Sequence, residues 1–471
     1  MSLDFDEIQE EEAFRDRIAT VNADGKRVWV YPKKPKGKWL NRRKLIAYFL
    51  LIFLVVAPFV KLDGVPFLQF DIFSRKFSIF FKVFWPQDFY LFAIALVIGI
   101  VFIIFFTIIF GRIFCGWFCP QTIFMEMVFR KIEYWIEGDW TYQKKLNSQP
   151  WNKEKIFKKL AKHALFLLVS IFVSAIFFAY IVGSDEVLNL FTAPALANGW
   201  TYFGLILFSL AFYGVFAFLR EQVCTSICPY GRLQGVLLDK NSMVVAYDYE
   251  RGENRAKFKK NEDRDEKGYG DCIDCYQCVH VCPTGIDIRN GTQLECINCT
   301  ACIDACDTIM TGIGKDTGLI RFVSENGIKE RKKFEWTKRV KSYTFLLIAL
   351  IVVLIFMLFT RDDVQVSIFR QRGTTMNITA DFKISNTYEL NLVNKTNKSY
   401  TIALKTDCKD CKIRMASKKI FLKKNSQLKE RFVVEMPINT EINGHKMIDI
   451  QVLGNGDELK SIETKFIGPI F

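Results

Sequence analysis

The chain has 471 residues, half of them hydrophobic and 45 of them Phe, with a formal net charge of +14 and a sequence pI near 9.0. That length accommodates several domains. A basic soluble protein would suggest nucleic acid, but here Lys and Arg flank long apolar runs, so the lipid membrane is the expected partner and nucleic acid is not.

Residues 1–44 read as a polar, poorly ordered, cytoplasmic N-terminus, with Pro35 interrupting Lys33–Lys38. Five segments then lack charges over about the ~20 residues that cross a bilayer: Leu45–Val60, Phe89–Phe110, Ala164–Ser184, Gly199–Leu219 and Ser342–Thr360. The first is short and carries Pro58. A signal peptide is its rival reading, but a highly charged stretch precedes it and no small-residue cleavage site follows, so it is expected to be retained.

Charged loops set the expected orientation. Lys33, Lys34, Lys36, Lys38, Arg42, Arg43 and Lys44 precede the first span, ten Lys and Arg lie between Arg112 and Lys162, and Asp185–Asn198 has neither. The N-terminus and residues 220–341 are thus expected in the cytoplasm and residues 361–471 outside. The loop after the first span holds Lys61, Arg75, Lys76 and Lys82 among Phe67, Phe70, Phe73, Phe77, Phe80, Phe81 and Trp85. It reads as aromatic sequence lying on the outer membrane surface.

Residues 45–220 form the expected four-helix membrane domain and residues 221–341 a cytoplasmic segment. Each contains one Cys-x3-Cys-Pro motif, Cys115–Pro120 and Cys224–Pro229, placed just after an apolar span. Cys at i and i+4 share a helix face, and Pro then ends or kinks the helix. If the two helix ends are neighbours, Cys115, Cys119, Cys224 and Cys228 converge. Four thiols that merely pack are the alternative. Repetition at equivalent helix ends favours a metal or redox role instead, with soft ligands suited to Cu(I), zinc or iron–sulfur.

Two further arrays, Cys272-x2-Cys275-x2-Cys278-x3-Cys282-Pro283 and Cys296-x2-Cys299-x2-Cys302-x3-Cys306, lie 24 residues apart. This spacing holds two [4Fe–4S] clusters, with the fourth Cys of each run crossing to the other cluster. Cys272, Cys275, Cys278 and Cys306 are then one ligand set, and Cys296, Cys299, Cys302 and Cys282 the other. Zinc sites usually show two short pairs with a longer spacer, and disulfides need an oxidising compartment. The chemistry expected is one-electron transfer. Asp307 stands where the first run has Pro283.

After a fifth span at residues 342–360, residues 361–471 read as short strands, including Ile384–Val393, Tyr400–Leu404, Leu428–Met436, Lys446–Leu453 and Ser461–Phe466, separated by turns such as Asn443-Gly444. That pattern predicts an immunoglobulin-like β-sandwich. Cys408 and Cys411 read first as a local disulfide; a copper pair helped by Met415 or Met436, or an unused pair of thiols, are the alternatives. Of the three His, His280 is expected to pack beside the arrays, and His163 could serve a quinone or a metal. No Gly-x-Gly-x-x-Gly follows a strand, so electrons are expected from an outside donor.

The two Cys-x3-Cys-Pro motifs followed by a two-cluster ferredoxin segment resemble the membrane electron-transfer proteins of the periplasmic nitrate reductase and nitrous oxide reductase systems. The fifth span and C-terminal sandwich are instead similar to the cytochrome c oxidase accessory protein family CcoG, also called FixG or RdxA. Val245–Glu253, Gly318–Phe322, Asn386–Tyr388 and Val393–Thr396 carry the likeness further, which runs from about Arg27 to the end. The resemblance implies an inner-membrane, multi-pass α+β protein that assists assembly of a cbb3-type oxidase. It would reduce Cu(II) to Cu(I) with electrons from a cytoplasmic donor, in partnership with the oxidase or its copper chaperones. Cys115, Cys119, Cys224 and Cys228 become the candidate catalytic, copper-handling residues. A quinol dehydrogenase-type relay and a non-enzymatic assembly scaffold are the rival functions.

Overall fold

The structure, a computed structural model, describes residues 20–21, 26–192, 199–259, 263–264, 266–331, 335–371, 376–379, 383–415, 420–438 and 444–469. The extreme N-terminus, Asn443 of the expected turn and part of the charged loop Arg251–Gly268 lie outside them. The chain divides into two compact units. One comprises Met1–Val56, Ala93–Ala179 and Gly183–Val353, and the other Ala57–Phe92, Tyr180–Val182 and Leu354–Phe471.

Among the described residues, four helices are long and apolar enough to cross a membrane: Pro86–Phe110, Lys153–Ile181, Gly199–Leu219 and Lys338–Phe359. Leu96, Ile100, Phe203 and Phe345 are exposed on them, an apolar surface suited to lipid. The expected first span differs. Its helix, Lys38–Val56, begins earlier and stops before Pro58. Lys38, Arg42, Arg43 and Lys44 fill its first two turns, and buried Arg43 donates through Nε to the Gly116 carbonyl at 2.7 Å. The third span also starts early, at Lys153 rather than Ala164. Straight-chain Lys and Glu are good helix formers, and Lys159 and Lys162 reach Glu137 at 2.8 and 3.0 Å.

The cysteine arrays are bracketed by an antiparallel pair of strands, Val244–Tyr247 and Ile320–Val323. The short helix Gln277–His280 and the longer Ala301–Gly312 carry part of the arrays. Contrary to the expected poorly ordered N-terminus, residues 26–44 are tied to this segment. The Lys33 amide donates to the His280 carbonyl at 2.7 Å. Asp304 accepts from the Trp39 and Leu40 amides at 3.0 and 2.8 Å. It thereby satisfies the free N–H groups at the start of the Lys38–Val56 helix. Gly37, at φ +148°, lies so close to the Asp304 carboxylate that a Cβ would overlap it. Asp304 lies 265 residues after Trp39, beyond what local composition reveals.

In the second unit, the aromatic segment after the first helix, expected to lie on the membrane surface rather than to span, has regular structure of its own. It forms an antiparallel sheet of Leu68–Asp71, Lys76–Ile79 and Lys82–Phe84. Val65, Val83 and Trp85 bury against Val393. Fully buried Asp88 receives Arg361 at 2.7 Å and Lys395 at 2.6 Å, so its charge is compensated twice. The C-terminal sandwich has one sheet in the order Lys412–Met415, Gln427–Pro437, Lys383–Asn394, Val364–Arg370, with Asn377–Ile378 on the edge. The other runs Ile420–Leu422, Tyr400–Thr406, His445–Gly454, Asp457–Ile467. Alternate residues such as Leu390, Leu392, Val434, Ile450 and Val452 point inward and are fully buried, the period-two pattern of a half-buried strand. Tyr388 stacks on Phe432 and donates its hydroxyl to the Lys465 carbonyl at 2.9 Å. Cys408 and Cys411 form a disulfide.

Candidate functional site

The eight cysteines of the arrays surround two small cavities. Cys296, Cys299 and Cys302 line the first together with Cys282, and Cys278 also reaches it. Cys272, Cys275 and Cys278 line the second together with Cys306. The fourth thiol of each run therefore stands with the other run's triplet.

The two arrays also share a backbone. Asp274 and Tyr276 in the first, and Asn298 and Thr300 in the second, adopt positive φ of 51°, 56°, 52° and 67°. Left-handed conformations are costly for residues with a Cβ, and here they recur at equivalent positions between ligand cysteines. Arg289, nearly inaccessible, closes the second cavity. It pairs with Asp274 at 2.5 Å and Asp287 at 2.6 Å, and lies 4.1 Å over the Tyr276 ring. Asp307, the departure from the Cys-Pro pattern, accepts from the Gly318 amide at 2.8 Å, pinning the loop that leads to Ile320–Val323.

Burial pushes the Cys278, Cys296 and Cys306 thiols up to about 12 and Cys299 to about 11. Left alone they would stay protonated; coordinated iron ionises such thiols outright. The all-sulfur donor sets that line the two cavities fit [4Fe–4S] clusters, which take four thiolates each.

The Cys-x3-Cys-Pro motifs do not present their thiols on one helix face, as i, i+4 spacing predicts. Cys115 lies in the helical turn Ile113–Trp117, but Cys119 is extended at φ −64°, ψ 125°. Cys224 lies in the wide turn Val223–Ile227, and Cys228 is extended at φ −71°, ψ 112°. The cause is the following proline, which drives the preceding residue out of helical conformation and then starts a new helix from its first position.

The two helix ends are neighbours. Burial pushes the Cys224 thiol up to about 12, and Cys119, Cys115 and Cys228 add to the rise through their charge. Burial likewise pushes Cys115 up to about 11, with Arg112 opposing and Cys119 and Cys228 reinforcing. The Cys115 thiol donates to Gln234 Oε1 at 2.9 Å, and Gln234 in turn donates to the Tyr230 hydroxyl at 2.8 Å. Sequence reasoning missed Arg112 and Gln234; neither belongs to a spaced motif. Among the described residues, no three His, Cys, Asp or Glu side chains close on one ion-sized point.

The first motif is seated on the second array. Trp117 Nε1 donates to the Asn298 carbonyl at 3.2 Å. A Cβ at Gly116 would overlap the Ile297 carbonyl oxygen and stand 3.1 Å from the Cys299 amide nitrogen. Cys224 shares a small cavity with Pro283, Thr284 and Ile297. Gly116→Val is accordingly expected to destabilise the protein by about 1–3 kcal/mol through overpacking and to perturb the EPR spectrum of the second-array cluster. Thermal unfolding and EPR on the detergent-solubilised protein check the two effects.

Beside the motifs lies a buried ionic network. Arg130 pairs with Glu126 at 2.9 Å and Glu221 at 3.7 Å. Arg220 pairs with Glu133 at 2.6 Å and Glu221 at 3.4 Å. Arg27 reaches Glu221 at 3.1 Å. Glu126 follows the first motif and Glu221 precedes the second, so Arg130 bridges them. His280 stacks on Trp140 with centroids 4.7 Å apart. His163 Nδ1 shares a hydrogen bond of 2.9 Å with the Tyr213 hydroxyl.

Comparison with known proteins gives matches along most of the chain. Residues 219–325 match a 4Fe-4S dicluster domain, residues 92–142 a 4Fe-4S binding domain, and residues 354–469 the Ig-like fold at the C-terminal of FixG. The chain is 34% identical over 391 residues to Protein RdxB of Cereibacter sphaeroides, covering 80% of this chain and 81% of that protein. It is 34% identical over 394 residues to Protein RdxA of the same organism, covering 80% and 82%. It is 32% identical over 305 residues to Nitrogen fixation protein FixG of Rhizobium meliloti, covering 64% of this chain and 58% of that protein.

Proposed function

The chain belongs to the FixG/RdxA family, and on that premise we propose that it is a membrane-bound electron-transfer protein that reduces Cu(II) to Cu(I) for assembly of a cbb3-type cytochrome c oxidase. When bound by the eight array cysteines, the [4Fe–4S] clusters supply electrons one at a time, and each electron delivered converts one Cu(II) to one Cu(I). A reduced one-electron carrier on the cytoplasmic side is the source. Cys115, Cys119, Cys224 and Cys228 mark where the electron leaves for copper, which is substrate here. The observation that carries this reading is the seating of Gly116 and Trp117 on Ile297–Cys299. It gives the motif thiols a short packed route from the second array. Copper(I) suits the soft thiolates nearby and those of a downstream chaperone.

The reading includes five spans, with the clusters inside the cell and the sandwich outside. Parity supports it. Lys33 bonds to His280, and Trp39 and Leu40 bond to Asp304, so residues 33–40 and 280–304 share one side of the bilayer. Three strongly apolar helices intervene. An odd number of crossings would separate the two segments, which favours the Lys38–Val56 helix as a fourth crossing between them. The helix Lys338–Phe359 is then the fifth.

The test uses anaerobic protein reduced with dithionite and freed of excess reductant. Addition of Cu(II) with a Cu(I)-specific chelator is expected to give the chelator's Cu(I) absorbance while the reduced-cluster EPR signal disappears. Cys115→Ala and Cys228→Ala, with array clusters intact by EPR, are expected to abolish the Cu(I) signal. Unchanged turnover in both variants would remove the motif thiols from the reaction.

A further inference from the structure

The chain has 14 cysteines. Cys408 and Cys411 are joined to each other, and the remaining thiols are free. Residues 219–325 match a two-cluster domain and contain ten cysteines. Eight of them line the two array cavities, which leaves Cys224 and Cys228. Residues 92–142 match a separate 4Fe-4S binding domain, yet contain only Cys115 and Cys119 and no His. Two thiols are half of the four-thiolate set that a [4Fe–4S] cluster takes. Each match thus leaves one pair over, and the fold brings these two pairs together.

We propose that Cys115, Cys119, Cys224 and Cys228 hold a third [4Fe–4S] cluster, each helix end contributing two ligands. The two motifs have matched geometry for such a role. Each places its first Cys in a helical turn and its second in extended backbone immediately before a proline-started helix. A four-thiolate cluster is anionic and needs buried positive charge. Arg112 supplies it: the side chain is 4% exposed, its Nε has no hydrogen-bond partner, and it stands beside the Cys115 thiol. Gly231 leaves the room, since a Cβ there would lie 2.7 Å from Arg112 Nη2 and 3.2 Å from the Cys224 carbonyl oxygen. With Gly116 against Ile297–Cys299 and Cys224 beside Pro283 and Thr284, this cluster extends the second array toward the membrane. The inference rests on the iron–sulfur electron-relay reading and not on copper as the acceptor.

The full chain, purified without oxygen and reconstituted with iron and sulfide, is assayed for iron, acid-labile sulfide and copper, and by EPR after dithionite. About twelve iron per chain are expected, four for each of three clusters. Cys119→Ala and Cys228→Ala are each expected to lose about four and one EPR component, keeping the other two. About eight iron in the unmodified chain overturns the proposal without recourse to any variant. So does loss of copper but not iron on substitution, or a disulfide found within the tetrad. Copper reduction measured on the same material separates the two readings. A full iron complement with no Cu(I) formed sinks the copper reaction alone. About eight iron with Cu(I) formed sinks the third cluster alone.

Discussion

Cys282→Ala is expected to remove the cluster of the second array while leaving that of the first, although Cys282 belongs by sequence to the first. In the cavity with Cys296, Cys299 and Cys302, Cys282 is the fourth sulfur. Cys306 plays the same part with Cys272, Cys275 and Cys278. A cubane deprived of one thiolate has an exposed iron and is readily lost, so about four iron per chain should go with each substitution. The check is the EPR spectrum left behind. Cys282→Ala should give the residual spectrum of Cys299→Ala, and Cys306→Ala that of Cys275→Ala, with the two residual spectra complementary. If Cys282→Ala instead matches Cys275→Ala, ligation follows sequence order and the crossed assignment fails. The consequence for function is directional. Losing the second-array cluster cuts the route at Gly116 and Trp117, so copper reduction should stop in Cys282→Ala.

The second large effect is expected at Arg130, which is 1% exposed and joins Glu126 to Glu221. Arg130→Met keeps the packing volume but leaves buried Glu221 and half-buried Glu126 with reduced compensation, where loss of a buried partner typically costs about 3–5 kcal/mol. Arg220 still serves Glu133 and Glu221, and Arg27 still reaches Glu221, so the lower half of that range is expected. Because Glu126 and Glu221 flank the two motifs, the loss should separate the helix ends rather than disturb the arrays. Thermal unfolding in detergent measures the stability change, and array EPR should persist while copper reduction falls. Arg130→Met combined with Glu126→Gln should recover part of the lost stability, since one stranded charge is removed. If the double variant is no more stable than Arg130→Met, the cost lies in packing rather than in charge.

Cysteine spacing, charge-free runs and strand alternation were all legible in the chain, because each depends on residues within a few positions of one another. The proline-started helices after Cys119 and Cys228 and the inward Leu390 and Leu392 follow from covalent neighbours and period. The i, i+4 expectation for the motif thiols failed for an equally local reason, the effect of proline on the residue before it. What only the tertiary structure decided was which distant segments meet. Asp304 caps a helix that starts at Lys38, Arg130 bridges the two motifs, and Arg112 and Gln234 attend Cys115. The aromatic segment 67–85 folds into a sheet under Trp85 because Val393 and the Lys395 and Arg361 charges are there to receive it. Spacing along a chain dictates the shape of a loop around its ligand; the burial of a charge or an apolar face is settled by whatever partner packing brings, and that partner carries no mark in the sequence beside it.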